Sequence, residues 1–191
     1  MRNVLLGFLF LISLTAQAET PSCLNFQHDQ IQINNEEVIR WKTTTPNSFK
    51  DRGFISGKLS EILVERNGHL HFDVNLSPLS GQSDLSDHIE VVYNKQFGVV
   101  EHFPVGADIV ACGDYITSTA QNGKFPPSPM GAIVHWVHMS PDLDRHPSGF
   151  LVVNGRLAGQ HNPNDSWGAM LGILEHFSAS PNPESTLRNA H

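Results

Sequence analysis

Apolar positions along this chain alternate far more often than they recur at helical spacing, and the elements they predict are short strands. The clearest case is 69–76: Leu70, Phe72, Val74 and Leu76 form one face, and His69, His71, Asp73 and Asn75 the other. That alternation predicts a strand with its apolar set in the core and its polar set solvated. Residues 53–64 are apolar and β-branched enough for a preceding strand, and Arg66-Asn67-Gly68 has the chemistry of a hairpin turn. Further strands are expected over 88–94, 109–116, 132–138 and 149–153, the last followed by an Asn154-Gly155 turn. The Ser/Gly/Asp-rich stretch 78–87 and the Pro-rich stretch 125–129 read as loops. One segment carries a helical stripe: Trp167, Met170, Leu171, Leu174 and Phe177, with Asn164 or Asp165 as its cap.

Several short strands, abundant turn residues and one amphipathic helix predict an all-β fold. The expected form is a small antiparallel OB-like barrel over 51–162 with a C-terminal helix over 163–177; a β-sandwich is the alternative. Residues 19–50 read as an N-terminal extension on the domain, with one apolar patch at Val38-Ile39-Arg40-Trp41. The Ser/Pro/Asn-rich stretch 178–191 reads as a disordered tail.

The first residues place the chain in a compartment. Arg2, the apolar run from Val4 to Leu14 and the small-residue site Ala16-Gln17-Ala18 read as a cleaved signal peptide over 1–18. The apolar run is too short to span a bilayer. A periplasmic or secreted location follows, and with it an oxidising environment in which the two cysteines, Cys23 and Cys112, most simply form one disulfide. The formal charge of −7 disfavours non-specific binding to nucleic acid, since Lys and Arg are scattered without a basic run.

Candidate chemistry concentrates in 131–146, where His135, Trp136, His138, Arg145 and His146 fall within one strand and turn. Such a density of titratable groups marks a candidate site. In a regular strand His135 and His138, three apart, point to opposite faces, so they converge only if a bulge or turn rotates one of them. If His135, His138 and His146 do converge, zinc is the cofactor they would hold. Arg145 beside imidazoles suits a carboxylate or phosphate. The plainer reading has the histidines bonding loops, Trp136 capping the core, and Arg145 pairing with Asp142 or Asp144. No G-x-S-x-G elbow, H-E-x-x-H pair or phosphate-cradling glycine loop occurs.

The same residues carry a resemblance. Gly131-Ala-Ile-Val-His135-Trp136-Val-His138, Pro141, Arg145-His146, Gly149-Phe150 and Gly155-Arg156 resemble the GGVIHWTHHDP…GRH…GW…GR signature of a family of exported bacterial proteins, the domain of unknown function numbered 3465. Val91-Val92-Tyr93-Asn94, Val105-Gly106-Ala107-Asp108 and Gly113-Asp114-Tyr115 extend the match upstream. Met139 and Ser140 stand where that family has His and Asp, and Tyr93 where it has His. The resemblance implies a shared fold and carries no activity.

Two main functions are open at this level. One is an exported binding module for a small anionic, glycan or protein ligand near His135, Trp136 and Arg145. The other is a zinc-dependent hydrolase or phosphodiesterase built on His135, His138 and His146; His135, Asn94 and Asp73 form a separate set for a metal-assisted phosphodiesterase. A third reading is a purely structural envelope protein made acid-sensitive by its histidines.

Overall fold

The computed structural model of this chain describes residues 20–77, 85–100, 102–143 and 146–161. The expected signal peptide, C-terminal helix and tail lie outside them, as does Arg145. Seven strands account for most of the regular structure: β1 (Phe49–Arg66), β2 (His69–Asn75), β3 (His88–Asn94), β4 (Asp108–Thr117), β5 (Ala132–His135), β6 (Phe150–Val153) and β7 (Arg156–Ala158). The mostly-β expectation holds. One helix, α1 (Asn35–Thr44), precedes them, so the segment read as an N-terminal extension on the domain is partly helical.

The strands form one mixed sheet in the order β1-β2-β3-β5-β4-β6-β7, with a further pairing of β1 with β4. The pairings β1-β2-β3-β5-β4 therefore return to their start. β1 makes this possible by serving two partners. Its first part lies against β4, from Phe49 opposite Ile116 to Lys58 opposite Asp108. Its second part lies against β2, from Lys58 opposite Asn75 to Arg66 opposite His69. A strand changes partners only where it bends, and Gly57 sits at that point: a Cβ there would run into the carbonyl oxygen of Asn75. Both anticipated tight turns are present, with Asn67-Gly68 and Asn154-Gly155 in the left-handed conformation that such hairpins require.

β5 and β6 lie end to end along β4. Thr117 to Asp114 face Ala132 to His135, and Cys112 to Ile109 face Phe150 to Val153. The two are one strand line, broken by an excursion over 136–149 opposite Gly113. The expected strand 132–138 thus stops at His135. Trp136, with φ 57°, turns the chain out of the sheet. Where it re-enters, Gly149 passes so close to the carbonyl oxygens of Trp136 and Cys112 that no side chain fits.

Inside the ring, Ile55, Leu59, Phe72, Val74, Ile89, Val91, Ile109, Tyr115 and Val134 form one buried cluster. Phe72, Val74 and Leu76 are the apolar face read from the alternation. α1 adds Val38 and Trp41 to the same cluster, and Trp41 packs on Tyr115 with ring centroids 5.1 Å apart. Burying two such side chains stabilises by roughly 1.5–3 kcal/mol each. Glu36 and Glu37 in the first turn and Lys42 in the last suit the helix dipole. Asn34 and Asn35 dock the helix on β1 by accepting from the amides of Phe54 and Ser56. Cys23 and Cys112 are joined by a disulfide with Cα atoms 5.7 Å apart, which ties the N-terminal segment to the centre of β4.

The polar face of β2 departs from expectation. It is not solvated. His71 Nδ1 lies 2.5 Å from Glu90 and His88 Nδ1 lies 2.6 Å from Asp73, and both pairs are largely buried between β2 and β3. Alternation reports which side faces the core; it cannot report that the opposite side is also covered.

The crowding at Gly149 predicts a large response to one methyl group. Gly149→Ala should cost about 3 kcal/mol in denaturant unfolding. Gly106→Ala, at φ 84° in open space, should cost about 1 kcal/mol. Equal losses would show that the excursion does not depend on this close approach.

Candidate functional site

The excursion 136–149 carries the site, and one buried guanidinium holds it. Arg52 of β1 is 1% exposed. Its Nη1 donates to Asp114 Oδ1 on β4 (2.8 Å), its Nη2 to the carbonyl of Ser148 on the returning limb (2.8 Å), and its Nε to the carbonyl of Leu24 (3.1 Å). Nη2 also lies 3.2 Å from Cys112 Sγ in the disulfide. A buried cation is tolerated only when its donors are satisfied in this way.

Asp114 spends its second oxygen on His146, 2.6 Å from Nε2. The other ring nitrogen of His146 lies 3.0 Å from the carbonyl of Pro147. Both nitrogens face acceptors, so both carry protons and the ring is an imidazolium. The bond to Asp114 is the largest cause raising its pKa above the ordinary value, opposed by partial burial. Trp136 stacks on this ring with centroids 4.8 Å apart and planes 29° apart. The contact has the character of a cation–π pair.

From Trp136 the rings continue in both directions. His138 lies 5.1 Å away and is itself stacked on Phe97 at 3.7 Å. His135 lies 5.8 Å from Trp136 and 6.1 Å from His69 at the start of β2. On the other side of His146, Phe26 packs edge-on at 5.5 Å, and Phe49 follows at 5.5 Å. The result is a belt of eight rings across the outer face of the sheet. Trp136 and Phe26 are each 37% exposed and Phe49 49%.

The left-handed Trp136 resolves the geometry of His135 and His138. The break in the strand turns His138 so that both imidazoles flank the indole. Trp136 itself stands on the outer surface rather than capping the core. A bulky residue at positive φ is strained, and such strain persists where the surroundings over-determine it. His135 and His138 are both pushed down to about 4. Burial is the larger cause in each; proximity to His69 and other imidazoles adds to it. His138 Nδ1 donates to the carbonyl of Met139 (2.8 Å), which fixes its neutral tautomer.

Three of the anticipated site residues, His135, Trp136 and His138, and a fourth, His146, therefore come together. Arg145 lies outside the described residues. The metal set is a different matter: among the described residues no group of three or more His, Cys, Asp or Glu is arranged to hold a metal ion. His146 has both ring nitrogens in other bonds. The polar groups considered for a phosphodiesterase are also committed elsewhere, Asp73 to His88 and Asn94 to the amide of Gln96. Arg52, Asp114, Phe26, Phe49 and Phe97 were not foreseen as site residues. They come from four separate stretches of chain, and only Asp114, inside the Gly113-Asp114-Tyr115 stretch, carried a local signal.

Compared with models of known protein families, with curated proteins and with solved structures, the chain has no match.

Two outcomes follow from the charges. Removing Arg52 leaves Asp114 and two carbonyls without their buried donor, so Arg52→Ala should cost about 3–5 kcal/mol in denaturant unfolding; a loss under about 1 kcal/mol would show that the cation is dispensable. The second concerns pH. His135 and His138 stay neutral in the fold down to about 4 but protonate near 6.5 when unfolded. The unfolded chain is then the better proton binder, and their contribution to stability is lost as pH falls from 6.5 toward 4. His146 has the reverse sign: its contribution is fully present below pH 6.5 and is lost as pH rises through its raised folded value. The melting temperature should therefore fall on the acid side, the double variant His135→Gln/His138→Gln should flatten that limb, and Asp114→Asn should flatten the alkaline one. Variants with the wild-type profile would contradict these assignments.

Proposed function

We propose that this chain is an exported binding module, built on an OB-like barrel, that holds its ligand on the belt of rings centred on Trp136. The observation that carries this reading is Trp136 itself: over a third exposed, left-handed, and held by an imidazolium on one side and an imidazole on another. A folded chain gains no core from an indole placed there, whereas a ligand gains a rigid aromatic platform.

Several observations support the barrel. Five strands pair in the cyclic order β1-β2-β3-β5-β4, β3 and β5 run parallel, and one long bent strand serves both β2 and β4. OB barrels bind on the face of their second and third strands and on the adjoining loops. His69 at the start of β2 and Phe97 just after β3 bring the belt onto that side. The disulfide fits an oxidising compartment, and among the described residues no helix is long and apolar enough to cross a membrane. On this reading the signal over 1–18 is removed on export, and the chain belongs with the exported family whose signature it resembles. Both nitrogens of His146 are engaged in holding the platform, which leaves that ring no lone pair for a metal and favours binding over hydrolysis.

The test is a screen of the purified protein against small anions, neutral glycans and envelope proteins, followed by tryptophan emission and thermal shift. Any ligand of this module should lose about 2 kcal/mol, roughly 30-fold in affinity, with Trp136→Ala. Ligands that bind Trp136→Ala as tightly as wild type would move the site elsewhere.

A further inference from the structure

We infer that the ligand of the Trp136 belt is an uncharged glycan chain that lays one sugar ring on Trp136 and another on the Phe26–Phe49 pair. This rests on the belt being a binding site and adds the class of ligand.

The argument begins with what the belt does not offer. The two cations beneath it are already spent: Arg52 donates inward to Asp114, Ser148 and Leu24, and His146 directs both nitrogens at Asp114 and Pro147. Neither keeps an N–H aimed at the surface, so the described belt has no exposed fork for a carboxylate or phosphate.

Among the described residues of the belt, the uncommitted polar side chain is neutral and two-sided. Among the described residues His135, half-buried, has no hydrogen-bond partner on either ring nitrogen. A neutral imidazole offers one donor and one acceptor. A sugar hydroxyl also does both, whereas a carboxylate or sulfate oxygen only accepts and would leave the acceptor nitrogen unmatched. That His135 holds at about 4 keeps it in this neutral state at any ordinary pH.

The spacing of apolar surface then separates a glycan from a protein. The exposed rings stand apart, with the polar His146 between Trp136 and Phe26. A protein interface core is a continuous desolvated apolar patch. A pyranose chain presents the pattern seen here: flat C–H faces suited to stacking, alternating with rims of hydroxyls. Phe26 and Phe49, packed edge to face at 5.5 Å, lie beyond His146 as a second platform, so the belt has room for more than one sugar.

The experiment is a titration of the purified wild-type chain, read by tryptophan emission and calorimetry, with di- and hexasaccharides of β-glucan, α-glucan, chitin, mannan and xylan. Heparin, inorganic phosphate and an unfolded acidic protein serve as the other arms. At least one neutral hexasaccharide should bind about tenfold more tightly than its disaccharide. Phe26→Ala should weaken the hexasaccharide more than the disaccharide and so reduce that gain, and Phe26→Tyr should restore it. Trp136→Ala should weaken both by about 30-fold. Affinity should stay level between about 50 mM and about 500 mM salt. Binding only to heparin or phosphate, weakening with salt, would overturn the glycan assignment and leave the belt as the site; so would binding only to the protein. A chain that answers to no probe in any arm would overturn the assignment and the binding reading together.

Discussion

Arg52 is the constraint on which the rest of the architecture depends. Its guanidinium lies in the interior where β1, β4, the N-terminal segment and the excursion 136–149 meet, and it bonds to all of them. None of those partners is adjacent to another in sequence. A lysine could not replace it, because one ammonium cannot spread donors in three fixed directions across that span. The disulfide at Cys112 lies against the same group, so the covalent tie and the electrostatic one secure the same junction.

From that junction the charge propagates outward in one chain of contacts. Asp114 neutralises Arg52 with one oxygen and fixes the protonation of His146 with the other. The imidazolium supports Trp136, and Trp136 orders His138 and His135 around it. The interior cation thus comes to support an outer run of aromatic rings. The His71–Glu90 and His88–Asp73 pairs on β2 and β3 repeat the principle: each buried carboxylate meets an imidazole rather than water. One oxygen of Asp73 is buried without a partner, the exception to this pairing among the described residues.

The interrupted strand shows how the ring of paired strands carries the aromatic excursion without losing closure. β5 and β6 share a single line along β4, so the excursion leaves and re-enters at nearly one point. Its inward cost is a strained Trp136 and a glycine at 149 with no room for a side chain. A scaffold of paired strands absorbs this locally, because the backbone bonds on either side remain intact.

By itself the sequence determined what depends on neighbours along the chain. The alternation of Leu70, Phe72 and Val74 follows from the two-residue repeat of a strand, and the Asn-Gly turns at 67–68 and 154–155 from the left-handed backbone they need. The crowding of His135, Trp136, His138 and His146 was visible, as was the pairing of the only two cysteines. Tertiary structure decided everything that joins distant segments. α1 escaped notice because two apolar residues, Val38 and Trp41, suffice once a core exists to receive them. The break after His135 was hidden because the strand pattern resumes in register at Phe150. Above all, Arg52 and Asp114 look like ordinary surface charges until the fold removes water from between them. Local periodicity is written in backbone geometry; the meaning of a charge is set by the dielectric and partners around it, and those exist only once the chain has closed.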